Sequence, residues 1–232
     1  MFFKRKTKKS PMARKLITIS DMTSIPSEQY RTIRANIKFS QPNQDVKTIL
    51  VTSSIAGEGK STNAANIGVV FSQESKNILI VDADMRKPTL HHTFYLDNIL
   101  GLSSVLSRQS TLQEVIQETF VEGVDIISSG PIPPNPTELL ASETMTSLMT
   151  EVKGIYDLII FDAPPLLFLS DAQILSNKCD GTILIVNTGV VGKAAVVKSK
   201  SILTVSKANI LGVILNNYKI KGSTYEHYYG KE

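Results

Sequence analysis

Lys60, Ser61 and Thr62 follow Gly57, Glu58 and Gly59 at the end of an apolar run that begins at Ile49. Residues of these types in this order can hold a polyphosphate. The glycines let backbone N–H groups approach the oxygens, and a helix opening at Lys60 adds partial positive charge. Lys60 adds a full charge, and the Ser61 hydroxyl can ligate Mg²⁺. The usual spacing is G-x-x-x-x-G-K-[ST]. Here Ser54 stands where the first glycine would be, so the strict pattern fails by one residue. The plain alternative is an ordinary strand–turn–helix with a surface lysine. The candidate ligand contacts are Ser54, Gly57, Glu58, Gly59, Lys60, Ser61 and Thr62, with Arg86 and Asn216 from later in the chain.

Two further acid sites follow apolar runs. Ile78–Val81 ends in Asp82-Ala83-Asp84, and an extended chain there aims both carboxylates to one side. Leu158–Phe161 delivers Asp162 and is then stopped by Pro164 and Pro165. An acid at a strand tip below a phosphate loop suits Mg²⁺, held directly or through water. Isolated strand-end aspartates more often form turns, but two of them downstream of one phosphate loop favour the chemical reading. Asp171 either caps a helix or faces the site. Asn216, at the tip of the last apolar run, either reads a base edge or closes a turn.

The elements that must position these groups are legible as alternating runs. Strands are expected at 46–53, 77–82, 124–128, 156–162, 181–187 and 210–215, and helices near 60–74, 111–118, 142–153, 170–178 and 192–206. The strands are continuously apolar, which suits a parallel sheet buried on both faces. The expected class is α/β, a doubly wound, mainly parallel sheet with its site at the strand C-termini. Gly130-Pro-Ile-Pro-Pro-Asn-Pro136 reads as a stiff connector into a short helix. At 232 residues the chain suits one such domain, expected over 21–217 between a basic segment, 1–20, and a tail, 218–232.

Composition excludes several classes. No apolar run is long enough to span a bilayer, and no secretory core follows the basic start. The single cysteine, Cys179, rules out an internal disulfide, fits a reducing cytoplasm, and reads as a small hydrophobe. Zinc has no support, because His91, His92 and His227 have no cysteine pair beside them. The formal charge of +4 is unevenly placed. Lys4, Arg5, Lys6, Lys8, Lys9, Arg14 and Lys15 form a head without acids, and the remainder is net acidic. That head suits an anionic membrane surface or an acidic partner, or is simply a solvated tail. No basic stripe interleaved with aromatics follows, so nucleic acid is not expected as a partner.

Near the start, Ser27 is expected to cap a helix over Glu28–Phe39, with Tyr30, Ile33 and Ile37 on its apolar face. Glu28, Arg31 and Arg34 form a polar stripe for which i, i+3 pairing is a sufficient explanation. At the other end, Tyr218, Tyr225, Tyr228 and Tyr229 are four of the chain's seven tyrosines, all within the last 15 residues. The segment lacks the apolar periodicity to pack itself and is expected to be mobile. Its tyrosines read as phosphate acceptors, each gaining roughly −1.5 to −2 charge on modification.

Taken together, the loop ending at Thr62, the Asp82–Pro88 segment, Asp162-Ala163-Pro164-Pro165, the 130–136 loop and the tail tyrosines resemble a known family. It is the bacterial tyrosine kinases (BY-kinases) of capsule and exopolysaccharide synthesis, in their separate cytoplasmic form. The resemblance implies a P-loop NTPase-like fold with Walker A, A′ and B elements. It also implies ATP·Mg²⁺-dependent autophosphorylation on Tyr225, Tyr228 and Tyr229. Ser54 is an accepted start to that family's loop, and Ala56 replaces its usual proline. By the same resemblance Lys60 grips the β- and γ-phosphates, Thr62 supports them, and Ser61, Asp84 and Asp162 serve the metal. Asp82 takes the tyrosine proton. Glu28, Arg31 and Arg34 become an E-x-x-R-x-x-R interface in a homo-oligomeric ring.

The implied partners are a transmembrane polysaccharide co-polymerase that activates the kinase, tyrosine-bearing enzymes of polysaccharide synthesis, and a cognate tyrosine phosphatase. The expected location is the cytoplasm, with recruitment to the inner face of the plasma membrane by the activator. Two other readings compete. A partitioning or cell-division ATPase switch would carry a second lysine early in the loop, where this chain has Ser54. A non-catalytic nucleotide-binding adaptor would bind ATP without turnover.

Overall fold

The structure, a computed structural model, describes residues 15–41 and 45–219. The basic head through Arg14 and the tail from Ile220, with Tyr225, Tyr228 and Tyr229, lie outside the described residues.

Seven strands among the described residues form one sheet. They are β1 (Thr48–Ser53), β2 (Ile78–Asp82), β3 (Ile116–Glu118), β4 (Val124–Ile127), β5 (Leu158–Asp162), β6 (Gly181–Asn187) and β7 (Ile210–Asn216). Their order is β3-β4-β2-β5-β1-β6-β7, parallel throughout except for β3, which runs antiparallel to β4 at one edge. β5 therefore sits between β1 and β2. The register pairs Asp82 with Asp162 and Val51 with Asp162, so the phosphate loop and both acid sites emerge at one rim.

The core explains the apolar runs. Successive strand residues face opposite sides, and each side is covered except at the edge strand β7, where Val213 and Leu215 are 51% and 54% exposed, against the expectation of burial on both faces. Ile49, Val51, Ile78, Ile80 and Ile160 pack on one face with helix α3 (Lys60–Ser72) and helix α2 (Ile25–Ser40). Leu50, Leu79, Val81, Ile159 and Phe161 pack on the other with α8 (Glu143–Lys153) and α9 (Asp171–Lys178). α3 comes so close to the sheet that a Cβ at Gly68 would lie 2.6 Å from Ile80 Cδ1. α10 (Lys193–Val205) contributes Leu203 to the second face. Short helices fill the connections: α1 (Ile17–Ser20), α4 (Leu90–Phe94), α5 (Leu102–Leu106), α6 (Leu112–Val115) and α7 (Pro136–Ala141). Cys179 is buried, as a small hydrophobe should be.

Two expectations are corrected. α2 begins at Ile25, with Pro26 in its first turn, and Ser27 lies inside it. Ser27 is buried, and its hydroxyl donates to the Asp21 carbonyl at 2.6 Å. It tethers the preceding turn instead of capping the helix. The expected helix at 111–118 stops after Val115, and Ile116–Glu118 extends to pair with β4. A free sheet edge offers backbone partners that outweigh the weak helical preference of a β-branched pair. Among the described residues no helix is long and apolar enough to cross a membrane.

Candidate active site

β1 aims the loop and α3 receives it. Gly57 and Gly59 have φ of +86° and +91°, a region costly for residues with a side chain. Around Gly57 there is open space, so the backbone angle alone asks for glycine. At Gly59 a Cβ would also meet Asn216 Nδ2 at 2.2 Å. The first turn of α3 carries unpaired N–H groups toward the cleft, where Lys60, Ser61 and Thr62 line the wall. The cleft encloses about 570 Å³, and Asp84, Arg86, Lys87 and Thr89 complete its polar side.

Lys60 is 9% exposed, and its ammonium lies 2.9 Å from Asp84 Oδ2 and 3.3 Å from Asp162 Oδ1. It also stands 3.4 Å from the Ser61 hydroxyl. Burial works to lower the Lys60 pKa, but the carboxylates of Asp162 and Asp84 outweigh it and raise the net value. Asp162 is fully buried, and one of its oxygens, Oδ2, has no hydrogen-bond partner. Burial raises its pKa, while Lys60 and the Ser61 hydroxyl pull the other way. A buried carboxylate oxygen without a donor is costly unless something cationic or protonated reaches it. Mg²⁺ fits this donor set: one or two carboxylates, a hydroxyl, and room for phosphate oxygens and water. Among the described residues no three His, Cys, Asp or Glu side chains form an all-protein cage.

Asp82 lies behind Asp84. Its Oδ2 accepts N–H bonds from Thr89 at 2.9 Å and Leu90 at 3.0 Å, and its Oδ1 accepts one from Asp84 at 3.3 Å. Burial, and then the neighbouring Asp162 charge, raise its pKa to about 7. Lys60, Asp82, Asp84 and Asp162 thus share one rim, with Lys60 and Asp84 on the cleft and the other two beneath it.

Ser54, Glu58 and Asn216, grouped from sequence with the ligand contacts, do not line the cleft. Ser54 is buried, its hydroxyl unpartnered. Glu58 is fully buried and turns inward. Its carboxylate accepts the Ile55 N–H at 2.7 Å and the Asn187 N–H at 2.9 Å. Asn216 Nδ2 donates to the Glu58 carbonyl at 2.8 Å, so that amide serves the loop backbone. Together they bolt the loop to the tips of β6 and β7. A further bond chain supports it from α2: the Tyr30 hydroxyl donates to Asn63 Oδ1 at 3.0 Å, and Asn63 Nδ2 donates to the Gly59 carbonyl at 3.0 Å.

Arg86 lines the cleft with its guanidinium clamped on Asp171, at 2.7 and 3.2 Å, and on Thr137 at 3.0 Å. Asp171 therefore faces Arg86, and the proline-rich connector acts by delivering Thr137. Sequence reasoning missed Thr137, Asn187, Lys87 and the apolar wall of Pro164, Pro165, Phe168 and Leu169. The one local hint was an apolar stretch, 166–169, stranded in a loop after two prolines.

Glu28, Arg31 and Arg34 lie on α2, outside the cleft. Arg31 pairs with Glu28, as the i, i+3 spacing suggests, and donates to the Met22 carbonyl at 2.8 Å. Arg34 pairs with Glu74 at 3.2 Å and donates to the Val70 carbonyl.

Comparison with known proteins agrees with this architecture. A family model described as an AAA domain matches residues 46–193. The chain is 45% identical to the tyrosine-protein kinase YwqD of Bacillus subtilis (strain 168), over 97% of this chain and 95% of that one. The crystal structure of the chimerical protein CapA2B2 superposes with a TM-score of 0.86 at 41% identity, covering 88% of this chain and 90% of that one. The kinase domain of the Escherichia coli tyrosine kinase ETK superposes at 0.84 with 26% identity, covering 95% and 88%. Identity of this order along nearly the whole of both chains, on a fold shared with a tyrosine-kinase domain, makes this chain a member of the bacterial protein-tyrosine kinase family.

Proposed function

We propose that the chain transfers the γ-phosphoryl group of ATP to tyrosine, including Tyr225, Tyr228 and Tyr229 of a neighbouring copy, and thereby regulates capsule or exopolysaccharide synthesis and export. The observation that carries this reading is the Lys60 ammonium held between Asp84 and Asp162 directly under a phosphate loop. Loop N–H groups and Thr62 bind phosphate oxygens, and Lys60 swings onto the terminal phosphate. Ser61, Asp84 and Asp162 hold Mg²⁺, which supplies charge neutralisation at the phosphates. The phenol oxygen forms a bond to the γ-phosphorus as the bond to the ADP oxygen breaks. A phenol has a pKa of about 10, so its proton needs an acceptor at neutral pH. The family resemblance assigns that role to Asp82, which shares the rim with Asp162 and whose pKa burial raises to about 7. Asp82 is fully buried beneath the cleft, so the turn through Thr89, which donates to it, must open for it to act.

The partners follow from the same reading. Glu28, Arg31 and Arg34 contribute to a ring of subunits, and phosphorylated tails loosen it by repulsion. A membrane-spanning co-polymerase activates the enzyme and recruits it to the inner face of the plasma membrane, and a tyrosine phosphatase resets it. Enzymes of polysaccharide assembly are further substrates.

The test is a phosphosite map after incubation with ATP, Mg²⁺ and the cytoplasmic end of the activator. Phosphate on Tyr225, Tyr228 and Tyr229 is expected, and unmodified tyrosines would overturn the reading. Lys60→Met and Asp82→Asn should each abolish the signal. A Lys60→Met protein mixed with active enzyme should still be labelled if transfer runs between copies.

A further inference from the structure

The cleft is lined by two chemically different sets of residues. One is Lys60, Ser61, Thr62, Asp84, Arg86 and Lys87; the other is Pro164, Pro165, Phe168 and Leu169. Phosphates account for the first set only. Phe168 is 78% exposed and lies beside Pro164, Pro165 and Leu169 in the cleft lining, so the ring's surface is open to a ligand there.

The backbone that carries the ring is held at both ends of its loop. Upstream, the Pro164 carbonyl accepts from the Thr52 hydroxyl at 2.8 Å. Leu166 N–H donates to the Ser53 carbonyl at 2.9 Å, and Leu167 N–H donates to the Ser54 carbonyl at 3.2 Å. Downstream, Asp171 is fixed by the bidentate clamp of Arg86. The backbone carrying Phe168 is thus pinned to the phosphate loop and to the Asp82–Arg86 segment. Displaying a ring on a pinned backbone lowers the ordering cost of a contact made there.

The position of the wall selects its occupant. Phe168 follows β5, which lies between β1 and β2 on the side to which Lys60 points. A terminal phosphate gripped by Lys60 lies on that side. On its other flank the loop is tied by Glu58 and Asn216 to the tips of β6 and β7, and that is the direction we assign to the rest of the nucleotide. What lies against the apolar wall, beyond the terminal phosphate, is the group that receives it. In a protein-tyrosine kinase that group is a phenol.

We propose that Phe168, backed by Pro165 and Leu169, is the platform on which the ring of the acceptor tyrosine stacks. This rests on the kinase reading above. Offset or edge-on aromatic pairing places ring centres about 4.5–7 Å apart and favours an aromatic partner over an aliphatic one. The platform sets the tyrosine ring, and so its hydroxyl, beside the terminal phosphate.

Binding measurements separate this idea from the kinase reading, because they need no turnover. The probe is a labelled peptide of residues 222–232, titrated into the full-length protein loaded with a non-hydrolysable ATP analogue and Mg²⁺. A second peptide has Tyr225, Tyr228 and Tyr229 replaced by leucine. Phe168→Leu should weaken the tyrosine peptide about tenfold and leave the leucine peptide within twofold. Phe168→Trp should hold the tyrosine peptide within threefold of the parent protein. The affinity for a fluorescent ATP analogue should stay within twofold in Phe168→Leu, and melting temperature confirms the fold. Equal weakening of both peptides, no weakening of either, or failure of Phe168→Trp to bind would overturn the platform. So would a loss of nucleotide affinity matching the loss of peptide, which would assign the wall to the base. A protein that binds the peptide through Phe168 yet makes no phosphotyrosine would refute the kinase reading alone.

Discussion

Removing the Glu58 carboxylate tests how the phosphate loop keeps its shape. Glu58 is fully buried, and two backbone N–H groups, from Ile55 and Asn187, end on its oxygens at 2.7 and 2.9 Å. Glu58→Ala leaves both donors without an acceptor. Each orphaned buried donor costs about 1–3 kcal/mol, so the pair together costs about 2–6 kcal/mol. A domain of this kind is stable by only about 5–15 kcal/mol, and the loss should be plain in the urea midpoint at constant m-value. Glu58→Gln keeps one acceptor oxygen but turns an NH₂ toward the other donor, so it should lose roughly half as much. Asn216→Ala removes only the bond from its amide to the Glu58 carbonyl and should cost about 0.5–1.5 kcal/mol. The loop is shaped by this bracket before ligand arrives, so affinity for an ATP analogue should fall along with stability, in the same order of variants. A Glu58→Ala protein within 0.5 kcal/mol of the parent, with unchanged nucleotide affinity, would show that the loop holds itself and would refute the reasoning.

Other outcomes follow from the same geometry. Gly59→Ala places a methyl 2.2 Å from Asn216 Nδ2 on a backbone at φ +91°, so ATP-analogue binding by fluorescence titration should drop at least tenfold. Tyr30→Phe cuts the hydroxyl from Asn63 and so loosens the Gly59 carbonyl; calorimetric nucleotide affinity should fall a few-fold with a stability loss of about 1 kcal/mol. The ligand-free protein should lose stability as pH rises from 5 to 8. Asp82, at about 7, and Asp162 are both raised above their unfolded values, so their contribution is full below the ordinary carboxylate range and disappears as each ionises in the fold. Asp82→Asn should flatten that slope in urea titrations, and an unchanged slope would count against the burial argument. Arg86→Lys cannot reproduce the two-pronged contact with Asp171, so melting temperature should fall by a few degrees.

Local chemistry was legible in the order of residues along the chain. Continuous apolar runs, each ended by serine, asparagine or aspartate, specify the parallel strands β1, β2, β4, β5, β6 and β7. Gly57, Gly59 and Lys60 specify a phosphate loop because backbone angle, charge and helix start are all set within a few residues. Strand tips carrying Asp82 and Asp162 were legible for the same reason. What the sequence could not contain was which strands lie side by side. β5 is inserted between β1 and β2, and only that order sets Asp162 against both Lys60 and Asp82. Buried polar partners were hidden in the same way. Glu58 meets the Asn187 backbone 129 residues away, Asn216 meets the Glu58 carbonyl across 158, and Arg86 meets Asp171 across 85. A buried charge or amide must find a partner wherever the packed chain supplies one. Local spacing therefore announces that such a group exists, and tertiary structure alone decides whether it faces a ligand or, as with Glu58, holds the loop that does.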